Sequence, residues 1–162
     1  MKIVKIDSKY RDSLIEALDR NDTSKKTRPY YLNLKIKDFS ILIPLRSNCP
    51  NSPYSISIYN PDHKKANHGL DCSKMIIVEK GKLNSVTSST FINNKIRLDI
   101  ETKKEIIKVT AIKTINDYLK MKRKIEKGLD LNDDEYFLYI RSTLVNFDNE
   151  LNDIVSQHEQ TF

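Results

Sequence analysis

Four residues carry the chemistry this chain offers most directly: Arg28, Arg46, Ser47 and Lys74. Cleaving RNA without a metal requires few groups. A 2′-hydroxyl attacks the adjacent phosphate, one group removes its proton, another protonates the departing 5′-oxygen, and cations steady the phosphorane. Arginine suits the cationic role because its planar fork pairs two phosphate oxygens at once. A serine hydroxyl donates to the phosphate or orients the attacking group, and lysine serves as acid or electrostatic clamp. Each residue also has a plainer reading. Arg46-Ser47-Asn48-Cys49-Pro50 is ordinary turn chemistry, Arg28 covers a hairpin edge, and Lys74 is a solvated lysine at a strand start.

The elements that must position these groups are legible. Ile41–Leu45 is an apolar run that ends in Arg46, Ser47 and Asn48, so the polar groups sit at the exit of a buried strand. Pro44 cannot donate to a ladder, which marks an edge or a strand end. Tyr30–Lys37 alternates, with Tyr31, Asn33, Lys35 and Lys37 on one face and Leu32, Leu34 and Ile36 on the other. A tight turn at Lys37-Asp38 makes Phe39–Leu45 the returning arm of a hairpin. Arg28, held extended by Pro29, then lies at the open end beside Arg46 and Ser47.

The remaining elements follow from capping and period. Lys2–Ile6 reads as a short strand and Asp7 or Ser8 as the cap of a helix carrying Leu14, Ile15 and Leu18, ending near Arg20–Asp22. Tyr54–Tyr59 reads as an edge strand and Cys72–Glu79 as a central one, with a polar loop over residues 60–71 between them. Residues 80–90 are turn-rich, and Phe91–Ile100 fits a short strand or an irregular approach to the next helix. Lys103–Lys127 is the strongest helix, with a stripe of Ile107, Ala111, Ile115, Tyr118 and Ile125 widened by Ile112 and Leu119, and Gly128 as its stop. Asn132 and Glu135 open a second helix through Tyr136–Phe147, extending towards Leu151 and Ile154.

Composition narrows the function classes. With 162 residues the chain fits one α+β domain over 1–162. Only 3 glycines argue against Gly-rich phosphate loops, and no apolar run approaches the roughly 18–20 residues that span a bilayer. Two cysteines give no disulfide framework, so reduced thiols in the cytoplasm are expected. No metal-ligand spacing stands out, and neither metal nor cofactor is expected. The net charge of +6 resides wholly in residues 1–80, with 15 basic against 9 acidic groups, while residues 129–162 hold one basic against 8 acidic. A basic body with an acidic end suits a polyanion. His63 and His68 share a polar loop, and because imidazole as a side-chain type exchanges protons near neutral pH they form a competing acid–base pair. Tyr54 and Tyr59 offer rings for stacking on unpaired bases or for filling a sheet face.

Several short blocks together resemble the toxins of type III toxin–antitoxin systems, the group that includes ToxN, AbiQ, CptN and TenpN. These blocks are Ser8-Lys9-Tyr10 within Ile6–Leu14, the hairpin Arg28–Leu45, the exit Pro44-Leu45-Arg46-Ser47-Asn48, and Gly69-Leu70-Asp71-Cys72-Ser73-Lys74. Ser142-Thr143-Leu144-Val145-Asn146-Phe147 followed by Glu150-Leu151 is similar to the close of the CptN and TenpN branch. The resemblance implies a strongly bent antiparallel sheet with packed helices, distantly similar to Kid and MazF. It implies a metal-independent endoribonuclease leaving a 2′,3′-cyclic phosphate and acting on cellular or phage RNA. It also implies a repeat antitoxin RNA, cut by the toxin into pseudoknots that inhibit it in a closed ring-like assembly, within an abortive-infection defence. Neither a membrane nor DNA is an expected partner.

Carried over by position, Ser47 and Arg46 match the strand-exit pair, Arg28 the basic opening of the hairpin, and Ser73-Lys74 the start of the later strand. Lys9, Tyr10, Asn48, Tyr54, His63, Lys64, Lys65 and Ser73 are the expected RNA contacts. Two departures matter. The ToxN-like exit continues Pro-Lys where this chain has Asn48-Cys49, and the helix tyrosine of part of the family has no counterpart near Glu105–Val109. Base and acid are therefore unassigned, and a non-enzymatic module gripping phosphates with the same cations is the alternative.

Overall fold

A computed structural model describes residues 1–14, 28–62 and 67–156. Strand β3 (Phe39–Arg46) organises the architecture, because its seven-residue stretch Phe39–Leu45 is buried throughout and it takes partners on both edges. On one side it pairs antiparallel with β2 (Tyr30–Ile36), and the hairpin turns at Lys37, whose φ of 56° is left-handed. β2 pairs with β1 (Lys2–Ile6), and β1 with β7 (Thr87–Ser89). The other edge of β3 is shared by β6 (Ile76–Glu79) at its start and β5 (Gly69–Asp71) at its end, and β5 carries the edge strand β4 (Ser55–Ser57). Among the described residues the result is an antiparallel sheet of seven strands in an α+β fold.

The handover between β5 and β6 explains Pro44. Leu45 pairs with Leu70 and Leu42 with Ile76, so Ile43 and Pro44 face the five residues Asp71–Met75. Leu45 donates its amide to Pro29 at 2.9 Å, towards β2. Amides alternate along a strand, so the amide that proline lacks would point the other way, into this gap, where no ladder partner waits. The five-residue side winds into a 3₁₀ turn, Cys72–Lys74, capped by the Asp71 side chain. The continuous strand expected over Cys72–Glu79 is thereby corrected to a turn followed by a shorter strand.

Helices cover the sheet. α1 (Ser8–Ser13) starts at Asp7, whose carboxylate accepts from the amides of Lys9 and Tyr10. The part of this helix expected to carry Ile15 and Leu18 lies outside the described residues. After the short α2 (Leu83–Val86), α3 (Asn94–Thr102) occupies the stretch expected to be strand or irregular chain. Asn93 caps it through Lys95 N at 2.8 Å. α4 (Lys104–Glu126) buries Ile107, Ala111, Thr114, Ile115, Tyr118 and Met121, whereas the expected Ile112 and Ile125 are exposed at the margin of the stripe. Gly128 ends it at φ 66°. α5 (Asp133–Arg141) opens with the expected Asn132–Glu135 capping box but stops at Ser142. A 3₁₀ turn, Thr143–Phe147, and α6 (Asp148–Ser156) replace the single longer helix.

The two faces of β2 are less distinct than its alternation suggests. Tyr30, Tyr31 and Leu32 are all buried, and the register to β3 slips between Leu32 and Leu34. The extra residue at that slip resets which side chains face inward. Helices α3 to α6 supply Ile96, Ile100, Ile107, Ile115, Leu138, Leu151 and Ile154 to one hydrophobic cluster with β1 to β6. No described helix is long and apolar enough to cross a membrane.

Candidate active site at a strand exit

The end of β3 gathers most of the candidate groups. β2 and β3 pair Tyr30 with Pro44, and Pro29 accepts from Leu45, so continuing this register sets Arg28 opposite Arg46. Arg28 and Arg46 both pull the Cys49 thiol downwards electrostatically, which places both cations around it. Burial and the Asp71 carboxylate outweigh them, and the thiol is pushed up to about 11. Cys49 is thus a buried neutral group beneath the cations.

Arg46 is held by Asp71, the third residue of the Gly69–Lys74 block. Its Nη1 donates to Asp71 Oδ2 at 2.9 Å. The other oxygen of Asp71 accepts from Ser73 N at 3.0 Å and Ser73 Oγ at 2.6 Å. Asp71 is completely buried while the Arg46 side chain remains 14% exposed. The β3–β5 register explains the meeting. Arg46 pairs with Gly69, so Asp71, two residues further along β5, is its diagonal neighbour on the same face. A buried carboxylate with a cation and two further donors fixes the guanidinium without neutralising the whole site.

Beyond Arg46 the pairing bulges. Arg46 pairs with Gly69, and the next bond is Cys49 N to Asn67 O at 2.7 Å. Ser47 and Asn48 on the exit strand therefore face the single residue His68. Two residues against one is bulge geometry, which re-aims side chains at a strand end. Asn67 adopts a φ of 53°, a left-handed conformation that asparagine tolerates better than most residues. Next to the bulge is a cleft of about 150 Å³ lined by residues including Asn51, Ser55, Ser57, His68 and Gly69. Gly69 permits this close approach, since a Cβ there would stand 2.6 Å from the Ile56 carbonyl oxygen.

Other expected contacts are placed elsewhere. Tyr54 is fully buried, its ring stacked on Phe137 at a centroid distance of 6.1 Å and its hydroxyl donating to Asp117 at 3.1 Å. Lys113 covers the ring 4.9 Å from its centroid. Burial and Asp117 push its phenol well above the ordinary range. Its expected role in stacking on a base is corrected to a core contact beneath α4 and α5. Ser73 is also fully buried and spends its hydroxyl on Asp71, so it supports Arg46 instead of touching RNA. Lys74 is 5% exposed, inside the turn, which corrects its reading as a solvated lysine.

Ser47 is half-buried and Asn48 exposed, both on the bulge. Lys9 is exposed on α1, but the Tyr10 hydroxyl lies near Glu150 and Glu79, and burial followed by these charges raises its pKa. Glu79 pairs with Phe39, at the far end of β3 from Arg46, so the structure does not bring Tyr10 into the cluster. His63, Lys64 and Lys65 lie outside the described residues. Asp71 is inconspicuous in the sequence because its partner lies 25 residues away. An apolar strand end carrying an acid, Leu70-Asp71, followed by Ser73 was the available signal.

No family model, curated protein or solved structure matches the chain.

Proposed function

We propose that the chain is a metal-independent endoribonuclease, the toxin of a type III toxin–antitoxin system, working in the cytoplasm. The reading rests on the resemblance of its short blocks to that family, which implies a distantly Kid- or MazF-like bend of the sheet. The observation that carries it is Arg46, anchored by the buried Asp71 and set beside Ser47, with Arg28 opposite. Such an anchor holds a planar cation at the strand exit, the side chain best matched to a phosphate.

In this reading Arg28 and Arg46 bind the scissile phosphate and offset the charge that develops on the phosphorane. Ser47 donates its hydroxyl to a non-bridging oxygen, and Asn48 contacts the adjoining nucleotide. Lys74 adds its charge from inside the turn. The RNA 2′-hydroxyl attacks, the bond to O5′ breaks, and a 2′,3′-cyclic phosphate remains. The same surface processes and is closed by a repeat antitoxin RNA in a ring-like assembly, which is released to act on cellular or phage transcripts. Purified protein incubated with RNA in EDTA is expected to cut and leave cyclic-phosphate ends; abolition of cutting by chelation rules out the metal-free mechanism. Tandem short repeats and a terminator immediately upstream of the gene are the expected genomic context.

One observation favours a second reading. The burial of Lys74 removes from the surface a group that would otherwise serve as acid, and the burial of Ser73 removes an expected RNA contact. A non-enzymatic RNA-binding module needs only the phosphate grip of Arg28 and Arg46. RNA retained intact under every condition selects that reading, while steep salt dependence fits both.

A further inference from the structure

We infer that His68 is the proton acceptor of this site, an assignment that rests on the endoribonuclease reading. Strand-exit spacing does not reveal it, because His68 is 21 positions beyond Ser47 in the chain and reaches it only through β5. The bulge sets His68 across from both Ser47 and Asn48, on backbone pinned by two bonds. Asn67 O accepts from Cys49 N at 2.7 Å and His68 O accepts from Ile58 N at 3.0 Å. The ring is therefore mounted between the exit of β3 and the continuation of β4, a fixed position instead of a loop tip.

The ring's own hydrogen bonding points the same way. Nδ1 is buried and has no partner among the described residues, although the residue as a whole is partly exposed and lines the cleft. A histidine kept for structure normally spends its inner nitrogen on a carbonyl or carboxylate. With Nδ1 closed off, the assignment puts the acceptor at Nε2, which requires the neutral ring to carry its hydrogen on Nδ1. Imidazole is the side chain suited to exchanging protons near neutral pH. Among the described residues, Arg28, Arg46 and Asp71 lie around this end of β3, the Cys49 thiol lines the same cleft, and the Lys103 ammonium donates to the Ser57 carbonyl at 2.8 Å; Asp71 is already engaged by Arg46 and Ser73.

The step balances with water as the only co-reactant. The 2′-oxygen forms its bond to phosphorus as its proton passes to Nε2 of His68. The bond from phosphorus to O5′ breaks, and O5′ takes a proton from a water molecule. The hydroxide left behind recovers the proton from the imidazolium, which restores the neutral ring.

The test is the rate of cleavage of a short RNA between pH 5 and pH 9, with RNA affinity and thermal unfolding measured on the same samples. The wild-type rate is expected to fall towards acid, because a protonated ring accepts nothing. His68→Gln is expected to lose about 10²–10⁴-fold in rate, to bind RNA as before, and to lose the acidic limb. His68→Ala is expected to regain rate with added imidazole. A wild-type profile without an acidic limb overturns the assignment whatever the variants do. A His68→Gln enzyme with an unaltered limb and a loss below tenfold overturns it too. A wild-type protein that cuts no RNA overturns the endoribonuclease reading itself, and only that outcome removes both.

Discussion

Arg46 and Asp71 form an ion pair across neighbouring strands, Nη1 to Oδ2 at 2.9 Å, in which the acid is wholly buried and the base is not. The asymmetry assigns different duties to the two partners. Asp71 works as an anchor inside the fold, and Arg46 holds its charge at the strand exit.

Removing the anchor is therefore costly in two ways. Asp71→Ala is expected to destabilise the protein by roughly 3–5 kcal/mol, the usual cost of breaking a buried pair, towards the lower figure because Arg46 retains solvent contact. It is also expected to abolish cleavage although Asp71 touches no RNA. Urea denaturation read beside a cleavage assay checks this, and an unchanged midpoint would show that the pair contributes nothing to folding.

Truncations at the exit should separate chemistry from stability. Ser47→Ala is expected to abolish growth arrest with the fold intact. Arg46→Ala is expected to abolish it too, but with a loss of stability, because it leaves the Asp71 carboxylate buried and unpaired. Arg46→Lys keeps a charge near Asp71 without the planar fork, so it should recover stability more than activity. A fully toxic Ser47→Ala would remove Ser47 from the site.

Gly69 is required by space. A methyl group there would meet the Ile56 carbonyl oxygen at 2.6 Å and Cys49 Cβ at 3.4 Å. The first neighbour is backbone and has no rotamer to escape into. Gly69→Ala is expected to cost about 1–3 kcal/mol and to part β4 from β5, visible as faster amide exchange at Ile56 and Ile58. Unchanged exchange would mean that the edge strand yields without cost.

Away from the site, Glu135 gives a pH signature. The Lys124 ammonium at 2.7 Å, followed by the Asn132 amide at 2.9 Å, holds its carboxyl below the ordinary carboxylate value. A depressed folded-state pKa contributes stability that is complete above the unfolded value of about 4.3 and lost as pH falls through the folded one. The stability gap between wild type and Glu135→Gln should be constant near neutrality and shrink in acid. A gap that persists at pH 2 would assign the effect to packing.

How much of this was readable in one dimension depends on where each partner sits. The hairpin, its turn at Lys37-Asp38 and the approach of Arg28 to Arg46 follow from alternation and one short connection. The Asn132–Glu135 box and the Gly128 stop are equally local. Tyr54 misled because its alternation is the same whether a face meets solvent or lies under Phe137 and Lys113. α3 is ambiguous in sequence because its cap, Asn93, follows the apolar pair Phe91-Ile92, which fits a short strand or an irregular approach equally well. The partnership of Asp71 with Arg46, and the place of His68 across from Ser47, emerge only once β5 is laid against β3, a pairing that carries no local mark.

The double pairing of β3 has a consequence for motion. A strand bonded on one edge frays from that edge, whereas β3 is enclosed by β2 on one side and by β6 and β5 on the other. Freeing Arg46 from its mount by opening the middle of β3 means breaking both sides at once, an opening that approaches global unfolding in free energy. The amides of Ile41 and Leu42 should then exchange among the slowest in the molecule. On the endoribonuclease reading, the flexibility that admits RNA has to come from the edge strand β4 and the Ser47–Asn48 bulge, with the cation on its mount staying still while the nucleic acid adjusts to it.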